Sequence, residues 1–332
     1  MELRSLGKTG LRVSTLGFGC GNVGGLMVRG TPADQERAVA RALELGINYF
    51  DTAPSYGNGE SERNLGRVLK TLRPDVLVGT KFRIEPTERG RVSEAVTASL
   101  EASLRRLGME WVDLLQLHNP ISPDARGGLA VGTVLDHVVP ALEGLRQQGK
   151  IRFFGITALG DAAAVQRVIA ARVLDTAQAC YNLLNPSAGA GVPRGFPAQD
   201  FAGLLDRARE AAVGVIGIRV LAAGALSGVE TRHAVAVPSV DPIASGPDYR
   251  ADVRMAGRFE ALVREGYAGS LIEAALRFAM ANDAMSTVLV GYSSIDHLEY
   301  AAACVNKGPL PRTALERLSA LWQAQCTAAG NA

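Results

Sequence analysis

Ile47-Asn48-Tyr49-Phe50-Asp51-Thr52-Ala53-Pro54-Ser55-Tyr56-Gly57-Asn58-Gly59-Glu60 holds a strand, a turn and the start of a helix in one short stretch. Ile47 to Phe50 is apolar and partly β-branched, the composition of a buried strand. Asp51 ends it. Gly57-Asn58-Gly59 cannot continue a strand and must turn, and Glu60-Ser61-Glu62-Arg63 opens an amphipathic helix.

The same strand–helix unit recurs on both sides. Upstream, Ser14 to Gly19 reads as a first core strand followed by a glycine-rich loop. Thr31-Pro32 then supplies an N-cap and an N1 proline, with Asp34 at N3, for a helix that stops at Gly46. Downstream, strands at 76–81, 112–118, 151–156, 176–180 and 215–218 are expected. Helices near 60–72, 91–107, 133–148, 161–172 and 199–212 follow the second to sixth strands, and a long loop follows the seventh. A helix from Ser270, with Glu273 completing a capping box, precedes a last strand at 287–290 and a helix to about Val305. Alternating βα units imply a parallel sheet. Eight in a row at this length imply a closed (β/α)8 TIM barrel in the α/β class. Leu3–Leu6 and Leu11–Ser14 around Gly7-Lys8-Thr9-Gly10 read as an N-terminal β-hairpin, and Thr313–Gln325 as an extra C-terminal helix. No Pro-, Gly- or Ser-rich linker divides the chain, so residues 1–332 are expected to form a single barrel domain.

Composition excludes several functions. The chain has 332 residues, 47% hydrophobic and 20% charged, and a formal net charge of +2, which gives no reason to expect nucleic acid or an anionic membrane as partner. No apolar run approaches the ~18 residues of a membrane span, and the N-terminus lacks the apolar core of a signal peptide. Cys20, Cys180, Cys304 and Cys326 lie far apart with no CxxC, which suggests reduced, packed thiols in a cytoplasmic protein.

In such a barrel, chemistry sits at the C-terminal ends of the strands. Three consecutive strands end in Asp51, Lys81 and His118, and Tyr56 lies in the loop after Asp51. Singly, each has a plain structural reading: a loop cap, a solvated lysine, a packed histidine. Neighbouring strand tips share one mouth, and there the four form an acid, a phenol, an ammonium and an imidazole. That set suits proton transfer to or from a carbonyl or alcohol oxygen. The Lys81 cation favours the phenolate of Tyr56, Asp51 neutralises and orients the lysine, and His118 is a second donor to the reacting oxygen. A hydrolase reading is weaker, because no serine or cysteine sits at a strand tip beside a histidine. A metal reading is weaker too, with four histidines in all and only His118 at this mouth.

Gly46 to Gly57, Thr80-Lys81 and Leu114 to His118 together resemble the aldo-keto reductases, as does the opening Leu6 to Ser14. The resemblance covers nearly the whole chain. It implies a nicotinamide-dependent oxidoreductase that reduces aldehydes and ketones, with Tyr56 as general acid and a small carbonyl or alcohol as substrate. It also implies NADP as cofactor, with NAD as the second choice. Two alternatives within its scope are an aldose dehydrogenase working oxidatively and a non-catalytic, cofactor-binding subunit of the channel-associated kind. The resemblance assigns cofactor contacts to Thr157, Gln178, Arg219, Leu221, Gly224, Gly291, Ser293, Ser294 and His297. Among these, Gln178 matches the amide that holds the nicotinamide carboxamide, and Ser293-Ser294 fall where members bind the adenosine phosphate end. The sequence departs from the family pattern at Thr157-Ala158, at Ile218, where an aromatic is usual, and at Ala301. No arginine stands beside Ser293, and Arg219 would compensate if its side chain turned toward the phosphate end.

Gly19-Cys20-Gly21-Asn22-Val23-Gly24 matches GxGxxG after a strand, but the helix begins several residues late, at Thr31-Pro32. The loop is instead expected to line the barrel mouth, its glycines allowing close approach of a ligand.

Overall fold

A computed structural model describes residues 1–329, with side-chain surroundings defined as far as residue 323. Eight parallel strands close into a barrel: β1 (Leu16–Gly19), β2 (Tyr49–Asp51), β3 (Leu77–Phe82), β4 (Val112–Leu117), β5 (Ile151–Thr157), β6 (Thr176–Cys180), β7 (Gly214–Ile218) and β8 (Met285–Gly291). Each pairs with its sequence neighbours, and β8 returns to β1 through Val288↔Leu16 to Gly291↔Gly19. The expected (β/α)8 barrel is therefore formed.

Eight helices pack outside: α1 (Pro32–Glu44), α2 (Glu60–Leu72), α3 (Val92–Leu107), α4 (Val139–Gln147), α5 (Ala162–Ala170), α6 (Leu204–Glu210), α7 (Leu271–Met280) and α8 (Ile295–Val305). The start of α1 follows from its sequence: Thr31 accepts a hydrogen bond from the Asp34 amide, and Pro32 stands at N1. A C-terminal helix, Arg312–Ala329, follows.

Five local expectations need correction. Ser14 belongs to the hairpin, where it pairs with Leu3, and β1 begins only at Leu16. The helix expected over 199–212 is α6 alone, because Ala202 and Gly203 hold left-handed φ values of 51° and 69°, which a right-handed helix cannot include. The helix expected over 133–148 opens as a wide turn at Val134–Val138, in which the Val139 amide reaches back five residues to the Val134 carbonyl. Pro140 stands just after this widened turn, inside the helical run, where it has no N–H to give the Asp136 carbonyl and its ring would crowd a regular turn. Ser270 caps α7 by accepting from the Glu273 amide, but no capping box closes. The Glu273 carboxylate instead accepts from the Gly269 amide and pairs with Arg277 and Lys307. The long segment after β7 also contains ordered helix at Tyr249–Ala256 and Glu260–Arg264.

The hairpin strands Leu3–Ser5 and Arg12–Ser14 cover the N-terminal end of the barrel. Leu6, Leu11 and Val13 join Tyr49, Leu114, Ile216 and Leu289 in one buried apolar cluster. Gly7, at φ 53°, is pressed so closely on β7 that a Cβ there would lie 2.2 Å from the Gly214 nitrogen. Cys20, Cys180 and Cys304 are free and buried, as expected; Cys326 lies outside the residues whose side chains are described.

Candidate active site

Tyr49 and Asp51 are two residues apart on β2, so both side chains point into the barrel. The next tips carry Lys81 on β3, paired in register with Gln116, and His118 just beyond β4. Asp51 binds Lys81 Nζ through Oδ1 in a fully buried ion pair. Its Oδ2 accepts from Tyr49 Oη at 3.0 Å and from Gln178 Nε2 at 2.7 Å. Burial, then the Asp51 carboxylate, pushes the Tyr49 phenol well above its ordinary range, so it remains a donor.

Lys81 Nζ has two further acceptors, the Thr52 carbonyl at 2.9 Å and Tyr56 Oη at 3.1 Å. Burial alone would lower its pKa, but Asp51 and then Tyr56 outweigh that and hold it above the usual lysine value. The ammonium is therefore fixed as a cation with one N–H aimed at the phenol.

The loop carrying Tyr56 is locked on both sides. Ser61 Oγ donates to the Cys20 carbonyl at 2.8 Å and lies 2.8 Å from Thr52 Oγ1, while Asn22 Oδ1 accepts from the Gly57 amide at 2.9 Å. Gly57, Asn58 and Gly59 all hold left-handed φ, which accounts for the composition of that turn. Tyr56 is half-buried, and its ring meets His118 edge-on at 6.3 Å between centroids. Burial, then the Lys81 and Arg83 cations, hold His118 down at about 3, so the imidazole is neutral. The structure thus brings Asp51, Tyr56, Lys81 and His118 to one mouth.

The residues assigned to the cofactor separate into groups. Thr157 and Gln178 join the Asp51–Lys81 cluster: Thr157 Oγ1 donates to Gln178 Oε1 at 3.3 Å, and the Gln178 amide also holds Asp51. Ser293 Oγ donates to the Gly24 carbonyl at 2.7 Å, and Ser294 caps α8 by accepting from the His297 amide. His297 is exposed in the first turn of α8, with its ring 5.6 Å from that of His233. Gly291, exposed at the end of β8, abuts Gly24, and Leu221 and Gly224 lie in the tight turn after β7. Arg219 donates to the Asp241 carbonyl at 3.1 Å and forms no hydrogen bond with Ser293, Ser294 or His297 among the described residues.

Of the glycines after β1, Gly21 does line the mouth, where a Cβ would lie 3.5 Å from the Tyr56 ring, whereas Gly24 and Gly25 admit backbone. A Cβ on Gly24 would lie 2.3 Å from the Gly291 carbonyl carbon, and one on Gly25 would lie 2.0 Å from the Val235 oxygen. Two arginines tie this loop to the segment after β7. Arg29 donates to Asn22 and Val235, and Arg232 to Val23, Ala223 and Val237, all through backbone carbonyls. Sequence reasoning missed these two arginines and Tyr49. The signal for Tyr49 was its two-residue spacing from Asp51; nothing local marks the arginines.

A sequence model of the Aldo/keto reductase family matches residues 15–323. The chain belongs to the aldo/keto reductase family. The L-galactose dehydrogenase of Arabidopsis thaliana is 31% identical over 92% of this chain and 89% of its own. The L-glyceraldehyde 3-phosphate reductase of Escherichia coli K12 is 27% identical over 92% of this chain and 88% of its own. Among solved structures, aldo-keto reductase AKR11C1 from Bacillus halodurans in its holo form superposes with a TM-score of 0.72 at 26% identity, covering 97% of this chain and 96% of that one. This aldo/keto reductase is an NAD(P)-dependent oxidoreductase acting on carbonyl and alcohol groups. Among the described residues, no helix is long and apolar enough to cross a membrane.

Proposed function

We propose that this chain reduces small aldehydes and ketones, with Tyr56 giving its proton to the carbonyl oxygen as that oxygen becomes an alkoxide. The observation that carries the reading is the buried relay from Asp51 through Lys81 Nζ to Tyr56 Oη at 3.1 Å. A lysine held charged by a buried carboxylate stabilises the phenolate that proton donation leaves behind. His118, neutral at assay pH, donates a hydrogen bond to the same oxygen and fixes its position. Tyr49 and Gln178, both donating to Oδ2, hold the Asp51 carboxylate aimed at the lysine.

A bound nicotinamide supplies the hydride. The donors near β8 suit the phosphates of such a cofactor: Gly291 is exposed at the strand end, and the first amides of α8 have no intrahelical acceptor. Ser294 and His297 lie beside them. NADPH is the preferred donor, and NADH is also used because no arginine stands beside Ser293 to grip the 2′-phosphate. The protein works in the cytoplasm as a single domain spanning residues 1–332, with no nucleic-acid partner.

The test is a 340 nm assay of the purified chain with NADPH and NADH against a panel of aldehydes, ketones and alcohols. Consumption of reduced cofactor with 4-nitrobenzaldehyde supports the reading. Cofactor binding without turnover of any panel member overturns it.

A further inference from the structure

Arg219 follows the last residue of β7 with φ 55°, in the left-handed region that few non-glycine residues occupy. Buried Asn182 holds it there, donating from Nδ2 to the Arg219 carbonyl at 2.9 Å. Asn182 Oδ1 accepts the amides of Leu184 and Asn185, so the support is itself rigid. A strained backbone locked from a neighbouring strand end points to a side chain whose direction matters.

The guanidinium has one protein hydrogen bond, from Nη1 to the Asp241 carbonyl, and no ion pair among the described residues. Burial is the main influence on its charge and opposes it, while Cys180, Tyr56 and Asp252 favour it and Arg232 opposes it. Asp252 is already engaged by Ser245 Oγ and the Gly246 amide. Arg219 is therefore a partly desolvated cation with spare N–H groups, within electrostatic reach of the reacting phenol. A desolvated charge calls for a counter-ion, and a guanidinium fork matches a carboxylate or phosphate.

We infer that Arg219 seats an anionic group of the substrate, a carboxylate or phosphate, so that a carbonyl elsewhere in the same molecule meets Tyr56. This rests on the reductase reading above. The cofactor's own phosphates are the competing anion. The candidate phosphate end at Ser293, Ser294 and His297, however, forms no hydrogen bond with Arg219 among the described residues, and His297 is absent from the groups that govern its charge.

The test compares 4-carboxybenzaldehyde with 4-nitrobenzaldehyde, which match in shape and differ in charge. The native chain should favour the carboxylate in kcat/KM by about ten- to a hundredfold, the worth of a charge-assisted hydrogen-bond pair. Arg219→Met should abolish that ratio, chiefly through KM, and Arg219→Lys should restore part of it. A second arm measures binding of benzoate and phosphate to the native chain and Arg219→Met by intrinsic fluorescence, with no turnover needed. Tighter native binding of benzoate or phosphate supports the inference, and the stronger of the two identifies the anion. The two arms fail separately: loss of all turnover with benzoate still bound would defeat the reductase reading alone. A ratio unchanged by Arg219→Met, or weaker binding of NADPH and NADH alike with no change in the ratio, would overturn the inference.

Discussion

Asp51→Asn tests the relay at its root. The carboxylate receives three donors, Lys81 Nζ, Tyr49 Oη and Gln178 Nε2. An amide offers one acceptor oxygen and adds an NH2 group that must face one of those donors. Lys81 would remain buried with its neutralising partner gone. Removing one partner of a buried pair costs roughly 3–5 kcal/mol; at roughly 2 °C per kcal/mol for a chain of this size, Tm should fall by about 6–10 °C at pH 7. The pH dependence carries the sign. In the native chain Lys81 is held above its unfolded value, so its contribution is fully present below the unfolded pKa and fades as pH rises through the folded one. In the variant, burial prevails and the folded pKa drops below the unfolded value. Its folded form then binds fewer protons than the unfolded chain, and its stability rises with pH in that window. The gap between the two proteins should therefore narrow as pH rises from 7 toward 10. Scanning fluorimetry across that range measures it. The double variant Asp51→Asn/Lys81→Met, which removes the stranded charge, should recover at least half the loss at pH 7. A single variant melting within 2 °C of native at every pH would refute the assignment of Lys81 as a buried cation held by Asp51.

Tyr56→Phe should lower kcat by on the order of 10²–10⁴, the usual contribution of a general acid, while leaving the fluorescence-measured Kd for NADPH nearly unchanged; activity within threefold of native would remove Tyr56 from the role. His118 is held down at about 3, so the pH profile of kcat should show no imidazole limb between pH 5 and 8. Because the folded pKa lies below the unfolded one, native stability relative to His118→Gln should fall as pH drops below 6.5, by up to about 1.4 kcal/mol per pH unit, and urea titrations at several pH values would detect it. NADPH should bind more tightly than NADH by less than about a hundredfold, since a helix N-terminus is worth only roughly 0.3–1 kcal/mol to an anion; a measured ratio above a thousand would require a basic residue gripping the 2′-phosphate.

The barrel could be read from the chain because each βα unit carries its own local signals: Thr31-Pro32 starts one helix, Gly57-Asn58-Gly59 turns one strand, and apolar runs mark the rest. The four catalytic candidates were readable for a related reason, since strand tips converge wherever the sheet closes. What resisted reading depends on registers far apart in the chain. Gln178 meets Asp51 across 127 positions, and Ser293 meets Gly24 across 269, so no window of sequence contains either contact. The direction of Arg219 was equally hidden, because Asn182, 37 residues away, holds its backbone in a left-handed conformation that no local propensity predicts. Glu273 looked like half of a capping box, yet Lys307 and Arg277 offered its carboxylate stronger partners.

The hairpin floor has a dielectric consequence. With Leu6, Leu11 and Val13 sealing the end beneath Tyr49, the apolar cluster screens the layer of Asp51 and Lys81 from water on that side. Coulombic coupling scales inversely with the effective dielectric constant, so a dry floor amplifies the pull of one ammonium on one phenol. Those first fourteen residues never touch the chemistry. Loosening them would let water in from below and weaken that pull, while every residue at the mouth stayed in place.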